Sequence, residues 1–326
     1  MSTVIRNLVF GVVVVVVAVF AFGDAISTAS NSTVRSKITI MAPAAPGGGW
    51  DTFARTSQQT LRSEGIVANV QVVNVPGAGG TIGLSQFVQA EGQEDYLMVT
   101  GGVMIGGIAV SKPAESLADV TPIARLADDY AALVVPADSN IHTLEDFVEA
   151  WQADPTGTSI AGGSLGSIDH LATVMLAQEI GLDPADANYI AYSGGGDALS
   201  AMLSHTTTAG MSGYNEVSAQ IEAGQLRLLA ISAPQPVEGI DAPTLLDAGY
   251  DVQMTNWRGF VAPPGITDAE RQELVDIVTE LAESEGWAEA LDRNDWTDTF
   301  AVGDEYERFI VDQQAEVDAI VEELGL

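Results

Sequence analysis

The hydrophobic and polar positions fall into three regimes. Residues 8–22 are uninterruptedly apolar, with Arg6 before them and Gly23, Asp24 and the small residues Ala25, Ser27 and Ala29 after them. From Lys37 to about Ile231, short apolar runs of strand length alternate with stretches of helical period, joined in several places by turns rich in glycine and proline. From Asp268 to Leu324 the period is mostly helical, and Phe309, Ile310, Val317, Ile320, Val321 and Leu324 share one stripe.

The first regime has the layout of an export segment, with a basic start, an apolar centre and small residues suited to cleavage near Ala25 or Ala29. The run is shorter than the roughly 20 residues of a comfortable membrane span, but Val4 and Ile5 bring a retained anchor within reach. Residues 1–29 are therefore read as a signal peptide or N-terminal anchor, which would be the chain's one contact with a membrane. The rest is expected outside the cytoplasm, in the periplasm or at the outer face of the cytoplasmic membrane.

The second regime predicts strands at 37–41, 67–75, 96–100, 131–135, 158–161, 188–191, 207–211 and 226–231. Helices are predicted from residue 51 onward and over 81–90, 144–151, 168–180 and 196–204. Strands alternating with helices give an α/β fold with parallel sheets covered on both faces. A chain of 326 residues, 47% of them hydrophobic, can bury a large core, and two domains are the default at that length.

Charge narrows the partners. Acidic residues number 45 against 12 basic ones, a formal net charge of −33, and Lys37 and Lys112 are the only lysines. Phosphate-backbone binding draws on clustered Lys and Arg, so nucleic acid is not expected as a partner. An acidic, lysine-poor surface suits high salt, where at about 1 M the Debye length falls to roughly 3 Å, and it predicts a halophilic or salt-exposed protein. Cysteine is absent, which excludes disulfides, thiolate nucleophiles, iron–sulfur clusters, Cys-based zinc sites and a lipoprotein anchor. The three histidines, His142, His170 and His205, are read as structural, and neither a metal nor a cofactor is expected.

Three glycine-rich turns carry the candidate chemistry. The first runs Ala45-Pro46-Gly47-Gly48-Gly49-Trp50-Asp51 and the second Asn74-Val75-Pro76-Gly77-Ala78-Gly79-Gly80-Thr81, each between a predicted strand and a helix. Glycines there let backbone N–H groups converge, and the helix start adds partial positive charge, so both turns suit an anion. Neither is a P-loop, because no lysine follows a glycine. At Gly77 and Gly79 the dinucleotide fingerprint nearly fits, but Ile82 stands where its third glycine belongs. The third turn, Gly162-Gly163-Ser164-Leu165-Gly166, matches the nucleophile elbow Gly-x-Ser-x-Gly and raises a secreted serine hydrolase using Ser164 as an alternative. That reading lacks a late histidine, since His170 follows the serine too closely and none comes after His205.

Taken together, Pro46 to Asp51 with Arg55, and Asn74 to Gly83, resemble the solute-binding receptors of tripartite tricarboxylate transporters, the Bug-type receptors. Similar landmarks continue at Asp169-His170-Leu171-Ala172, Ala191-Tyr192-Ser193-Gly194-Gly195-Gly196, Gly224-Gln225-Leu226-Arg227, Pro243-Thr244-Leu245 and Asn256 to Gly265. The resemblance implies a non-enzymatic receptor of type II periplasmic-binding-protein fold, two α/β lobes around a hinged cleft. Lobe 1 would comprise 37–135 and 240–326, and lobe 2 would comprise 136–239. The implied function is capture of a small organic carboxylate and its delivery to membrane permease subunits, with sensing as a variant. A di- or tricarboxylate such as citrate is favoured if Arg258 pairs with a second ligand carboxylate, the alternative being an internal ion pair with one of the 45 acids. The resemblance places the ligand on Gly47, Gly48 and Gly49, and on Gly77, Ala78, Gly79 and Thr81. From the second lobe, Ser164 and Ser193 are expected to donate; beyond the family pattern, Trp50 and Trp257 either wall the pocket or pack the core. Asp51 is expected to brace its own turn, with Asn74 as a structural neighbour.

Overall fold

Each of the three glycine turns leads from a strand into a helix in the computed structural model, which describes residues 32–326. The export segment read at 1–29 lies outside the described residues. After α1 (Ser32–Ser36), the first half comprises β1 (Ile38–Ala42), α2 (Gly49–Ser63), β2 (Val70–Asn74), α3 (Thr81–Val88), β3 (Tyr96–Gly101) and α4 (Gly102–Ser111). Next comes β4 (Thr121–Pro136), followed by α5 (Leu144–Ala153), β5 (Ile160–Gly162), α6 (Ile168–Glu179), β6 (Tyr189–Ala191), α7 (Gly195–Leu203), β7 (Ala209–Gly213), α8 (Tyr214–Glu222) and β8 (Leu226–Ile231). The chain then returns through β9 (Thr255–Ala262), α9 (Asp268–Ala282), α10 (Glu285–Arg293), β10 (Thr297–Val302) and α11 (Gly303–Glu323).

Local chemistry explains several boundaries. Thr143 and Asp146 close a capping box at the start of α5, and Thr267 and Glu270 do the same for α9, each satisfying helix N–H groups that have no intrahelical acceptor. Helix α11 buries Tyr306, Ile310, Val317 and Val321, which follows the stripe predicted for the tail. The tail is mostly helical, as expected, with β10 interrupting it to pair antiparallel with β4. One expectation is corrected: the sheet is not wholly parallel. Its order is β2-β1-β3-β9-β4-β7-β5-β6, with β8 and β10 also on β4. Only β1–β2, β1–β3, β5–β6 and β5–β7 run parallel. Strands β4 and β9 carry the chain between the two halves in opposite directions, so the centre is antiparallel.

The crossing point fixes the architecture. Residues Thr121–Tyr130 of β4 pair with β9, whereas Ala131–Pro136 pair with β7 and β8, so one 16-residue strand serves both lobes. Pairing changes partners between Tyr130 and Ala131, somewhat before the boundary expected at 135. Ser232 bolts the return crossing. Its N–H donates to the Ala131 carbonyl at 2.8 Å and its hydroxyl to the Met254 carbonyl at 2.7 Å, while Ala131 N–H donates to the Ser232 hydroxyl at 3.0 Å. One large apolar core runs through both lobes, joining Phe53 and Phe260 to Phe147, Trp151 and Leu171. In lobe 1, Phe53 meets Phe260 and Trp287 at ring-centre distances of 5.2 and 5.7 Å. In lobe 2, Val134, Met202, Tyr214, Val217 and Ile231 form a smaller cluster between the sheet and helices α7 and α8.

The lobes touch across the cleft. Ile168 reaches Gly102, and the Gly166 carbonyl lies so close to Gly106 that a side chain there would collide with it. Gln178 of α6 donates to Glu323 of α11 at 3.2 Å.

Candidate ligand cleft

The first two turns lie side by side at the carboxyl ends of β1 and β2. Asn74, the last residue of β2, donates through Nδ2 to the Ala44 carbonyl at 3.0 Å and to Asp51 Oδ1 at 2.9 Å. Asp51 also accepts from Gly47 N–H at 2.8 Å and from Arg55 Nε at 2.9 Å. Burial by itself would raise the Asp51 pKa, but the Arg55 guanidinium, the Gly47 N–H and the Asn74 amide together hold it below the usual carboxylate range. The Trp50 ring lies against Gly80, so the turns meet through an aromatic face.

The donors of the two turns differ in availability. In the first, Gly47 N–H is given to Asp51, Gly48 N–H to the Ala45 carbonyl at 3.4 Å, and Gly49 N–H to Glu216 Oε1 at 2.6 Å. In the second, a single turn of 3-10 helix over Ala78–Gly80 uses Gly80 N–H on the Gly77 carbonyl, and the Thr81 hydroxyl donates to the Ala78 carbonyl at 2.9 Å. Among the described residues, the N–H groups of Gly77 and Ala78 meet no acceptor. Gly79 holds φ +61°, and a Cβ there would stand 3.1 Å from the Gly107 Cα, so this turn is pressed against α4. The glycine is as much a packing requirement as a donor.

Glu216 comes from lobe 2, in the first turn of α8. Its second oxygen accepts from the Ser212 hydroxyl at 2.9 Å and lies against Gly195 at the head of α7. Beside it, Arg258 of β9 is 1% exposed, and its Nη2 donates to Asp129 Oδ2 at 2.9 Å and to Asn215 Oδ1 at 3.4 Å. Arg258 Nε and Nη1 are buried with no hydrogen-bond partner, and the guanidinium carbon lies 5.3 Å from the Trp296 ring centre. Burial pushes Asp129 up to about 6 against the pull of Arg258, and the Glu216 charge adds to the rise. Asp169, at the start of α6, is pushed to about 7 by burial and then by Glu216, although it accepts Gly163 N–H at 2.9 Å. Three carboxyl groups and one guanidinium therefore interact electrostatically here; the sequence pointed to Arg258 as a ligand residue and to Asp169 only as a family landmark, and to neither Asp129 nor Glu216.

The other anticipated residues separate into groups. Trp257 is fully buried in lobe 1, edge-on to Tyr306 and Phe309 at 5.9 and 5.2 Å, so it packs the core and does not wall the cleft. Trp50 is also buried, but it stays next to both turns. Arg258 is held by Asp129 in an internal ion pair, which removes the ground for reserving it for a second ligand carboxylate. Ser193 is exposed between β6 and α7, and Ser164 is half-buried in the third turn. Among the described residues no hydrogen bond joins Ser164 to a histidine. His170 instead accepts Gly166 N–H on Nδ1 at 3.1 Å and stacks near Tyr189 at 4.8 Å. Burial pushes its pKa down to about 4, so the ring is neutral and braces the turn. No group of acids and histidines able to hold a metal occurs among the described residues, and none of their helices is long and apolar enough to cross a membrane.

A groove of about 1370 Å³ lies elsewhere, on the outer flank of lobe 1, where Ile108, Leu117, Ile310, Val311 and Val321 line much of it. It holds none of the turn residues, and its polar lining sets Lys112 and Arg271 beside the acids Glu307, Asp318 and Glu322.

Comparisons with known proteins agree with this layout. BugT of Bordetella pertussis is 28% identical over 310 residues, covering 93% of this chain and 94% of BugT. The structure of a TctC solute-binding protein from Polaromonas superposes with a TM-score of 0.65 at 25% identity, covering 88% of this chain and 98% of that one. MatC of Rhodopseudomonas palustris, solved with bound malate, shares the fold with a TM-score of 0.76 at 20% identity, covering 88% of this chain and 99% of MatC. Residues 53–326 match the model of the TctC family, the tripartite tricarboxylate transporter family receptors, and the chain therefore belongs to that family of periplasmic solute-binding proteins.

Proposed function

We propose that this chain is the extracytoplasmic receptor of a tripartite tricarboxylate transporter, exported by its N-terminal segment, which captures a small organic carboxylate and hands it to the membrane permease. The carrying observation is the pair of glycine turns at adjacent strand ends, with N–H groups of Gly77 and Ala78 unspent and Glu216 of lobe 2 linking Gly49 of the first turn to Gly195 at the head of α7. Oriented backbone donors in a closed, desolvated cleft act at short range and are little screened, so an acidic chain can hold an acidic ligand. A dicarboxylate is favoured over a tricarboxylate such as citrate. The Asp129, Asp169 and Glu216 carboxyl groups add negative charge near the turns, and Arg258 is already paired. The malate bound by MatC, a protein of the same fold, supports that class.

A thermal-shift panel of malate, longer dicarboxylates, citrate, monoacids and amino acids tests the reading. Ligand at about 100-fold over its Kd stabilises the folded state by roughly 2.7 kcal/mol, a shift of several degrees for a protein of this size. The expected order is dicarboxylates first, and a panel in which no carboxylate moves the transition overturns the assignment.

A further inference from the structure

The cleft contains a carboxylate that belongs to the protein itself. Glu216 reaches from lobe 2 to lobe 1, where Oε1 takes the Gly49 N–H at 2.6 Å, at the first residue of α2. Its other oxygen takes the Ser212 hydroxyl and lies against Gly195, the first residue of α7. The group thus sits where two helix N-termini from opposite lobes converge, the electrostatic setting that an anion seeks. Arg258 supplies an independent pointer. A Cβ built on Gly49 would stand 2.7 Å from Arg258 Nη2 and 3.1 Å from Glu216 Oε1, so guanidinium and carboxylate flank the same glycine. Two further guanidinium donors, Nε and Nη1, are buried there without an acceptor. Unspent donors of a buried cation therefore stand beside the glycine that Glu216 engages.

We propose that Glu216 is a tethered stand-in for the ligand carboxylate: it latches the empty receptor closed across the cleft and is displaced when ligand enters, so it sets the affinity of the site. The contact joins residues 167 apart in sequence and bridges the two lobes, which distinguishes it from an ordinary helix cap. The inference deepens the receptor reading by naming the residue that competes with the ligand. Only a ligand whose own carboxylate reproduces both the Gly49 and the Ser212 hydrogen bonds repays the loss of the latch, which selects against acids too bulky to enter the closed floor. Apparent affinity falls in proportion to the fraction of receptor that is open, so a latch leaving about one molecule in ten open weakens binding roughly tenfold.

The test uses two independent readouts on the full mature chain. The protein has no cysteine, so Gln59→Cys on α2 and Glu149→Cys on α5, both exposed, give a clean pair for interlobe fluorescence transfer. In the absence of ligand, Glu216→Ala is expected to lower transfer efficiency, Glu216→Gln to fall between the two, and the surface control Glu222→Gln to match the parent. Malate binding by calorimetry is expected to tighten about tenfold in Glu216→Ala and less in Glu216→Gln. Ligand-free transfer that is unchanged in both variants overturns the latch, whatever the ligand proves to be. Malate affinity that falls in both variants also overturns the proposal, because Glu216 would then be a ligand contact. Should malate fail to bind the parent while transfer still drops in Glu216→Ala, the latch stands and the dicarboxylate assignment fails.

Discussion

The two glycine turns of lobe 1 are nearly alike in composition, and they end up with opposite hydrogen-bond economies. Gly47, Gly48 and Gly49 all give their N–H groups to acceptors within the protein, two of them to its own carboxylates. Gly77 and Ala78 keep theirs, and their turn is held by packing of Gly79 on α4 instead. A glycine-rich turn between a strand and a helix therefore specifies that donors converge, but which donors stay free depends on the side chains brought in from elsewhere.

The contrast can be broken in three ways. The largest effect is expected at Arg258, the buried cation beside the first turn. Replacing Arg258 by Met leaves Asp129 without its counter-charge and is expected to cost about 3–5 kcal/mol in urea unfolding. The cost depends on pH. The Asp129 pKa is raised to about 6 in the fold, so the folded state binds more protons than the unfolded one between about 4 and 6 and loses stability as pH rises through that window. Without Arg258 the rise is steeper, and the gap between variant and parent should widen from pH 4 to pH 8. Adding Asp129→Leu to Arg258→Met should restore most of the loss, and a double variant no better than the single one would show that the pair is not the cause.

A middle-sized effect separates the turns directly. Gly79→Ala forces φ +61° on a residue with a Cβ and pushes that Cβ toward the Gly107 backbone, at an expected cost of about 1–3 kcal/mol. Gly48→Ala, at φ −84° with nothing nearer than 3.7 Å, should stay within about 0.5 kcal/mol of the parent. Equal urea midpoints for the two variants would remove the distinction between a packed and a bonded turn. The same geometry makes Gly79→Asp a poor probe of ligand contact, because it disturbs the fold first.

The smallest effect belongs to Asp51→Asn, which weakens the bracing of the first turn alone. Loss of its charge-assisted bonds to Gly47 and Arg55 is expected to cost about 1 kcal/mol at neutral pH. Because the folded carboxyl titrates below its ordinary value, that contribution is complete above the unfolded pKa of about 4 and fades as pH falls through the lowered folded one. A variant that stays equally destabilised at pH 2 would point to shape and not charge as the role of Asp51.

Most strand and helix positions of the alternating region were legible because apolar runs and turn residues marked them, and β8 was read to the residue. Helices α4 and α8 and strands β9 and β10 escaped, α4 and β10 for identifiable physical reasons. Helix α4 begins at Gly102 and carries Gly106 and Gly107, a composition that argues against a helix until the second and third turns are seen packing on those glycines. Strand β10, Thr-Asp-Thr-Phe-Ala-Val, is half-buried and surrounded by acidic helices, and its pairing with β4 is a long-range contact with no local signature. At the cleft, the glycines, Asp51, Asn74 and Arg258 stood out by type and spacing. Glu216 and Asp129 did not, since one acid among 45 carries no mark until the fold sets it against a particular N–H or guanidinium.

The unbroken run of β4 through both lobes has a mechanical corollary. A strand held by hydrogen bonds on either side of Tyr130 and Ala131 can twist about its own axis, yet it cannot trail like a loose string. With Ser232 pinning the return passage at the same level, the two crossings share one stiff seam. Under the proposed receptor reading, a membrane partner resting across that seam would register a turn of one lobe against the other without touching the cargo.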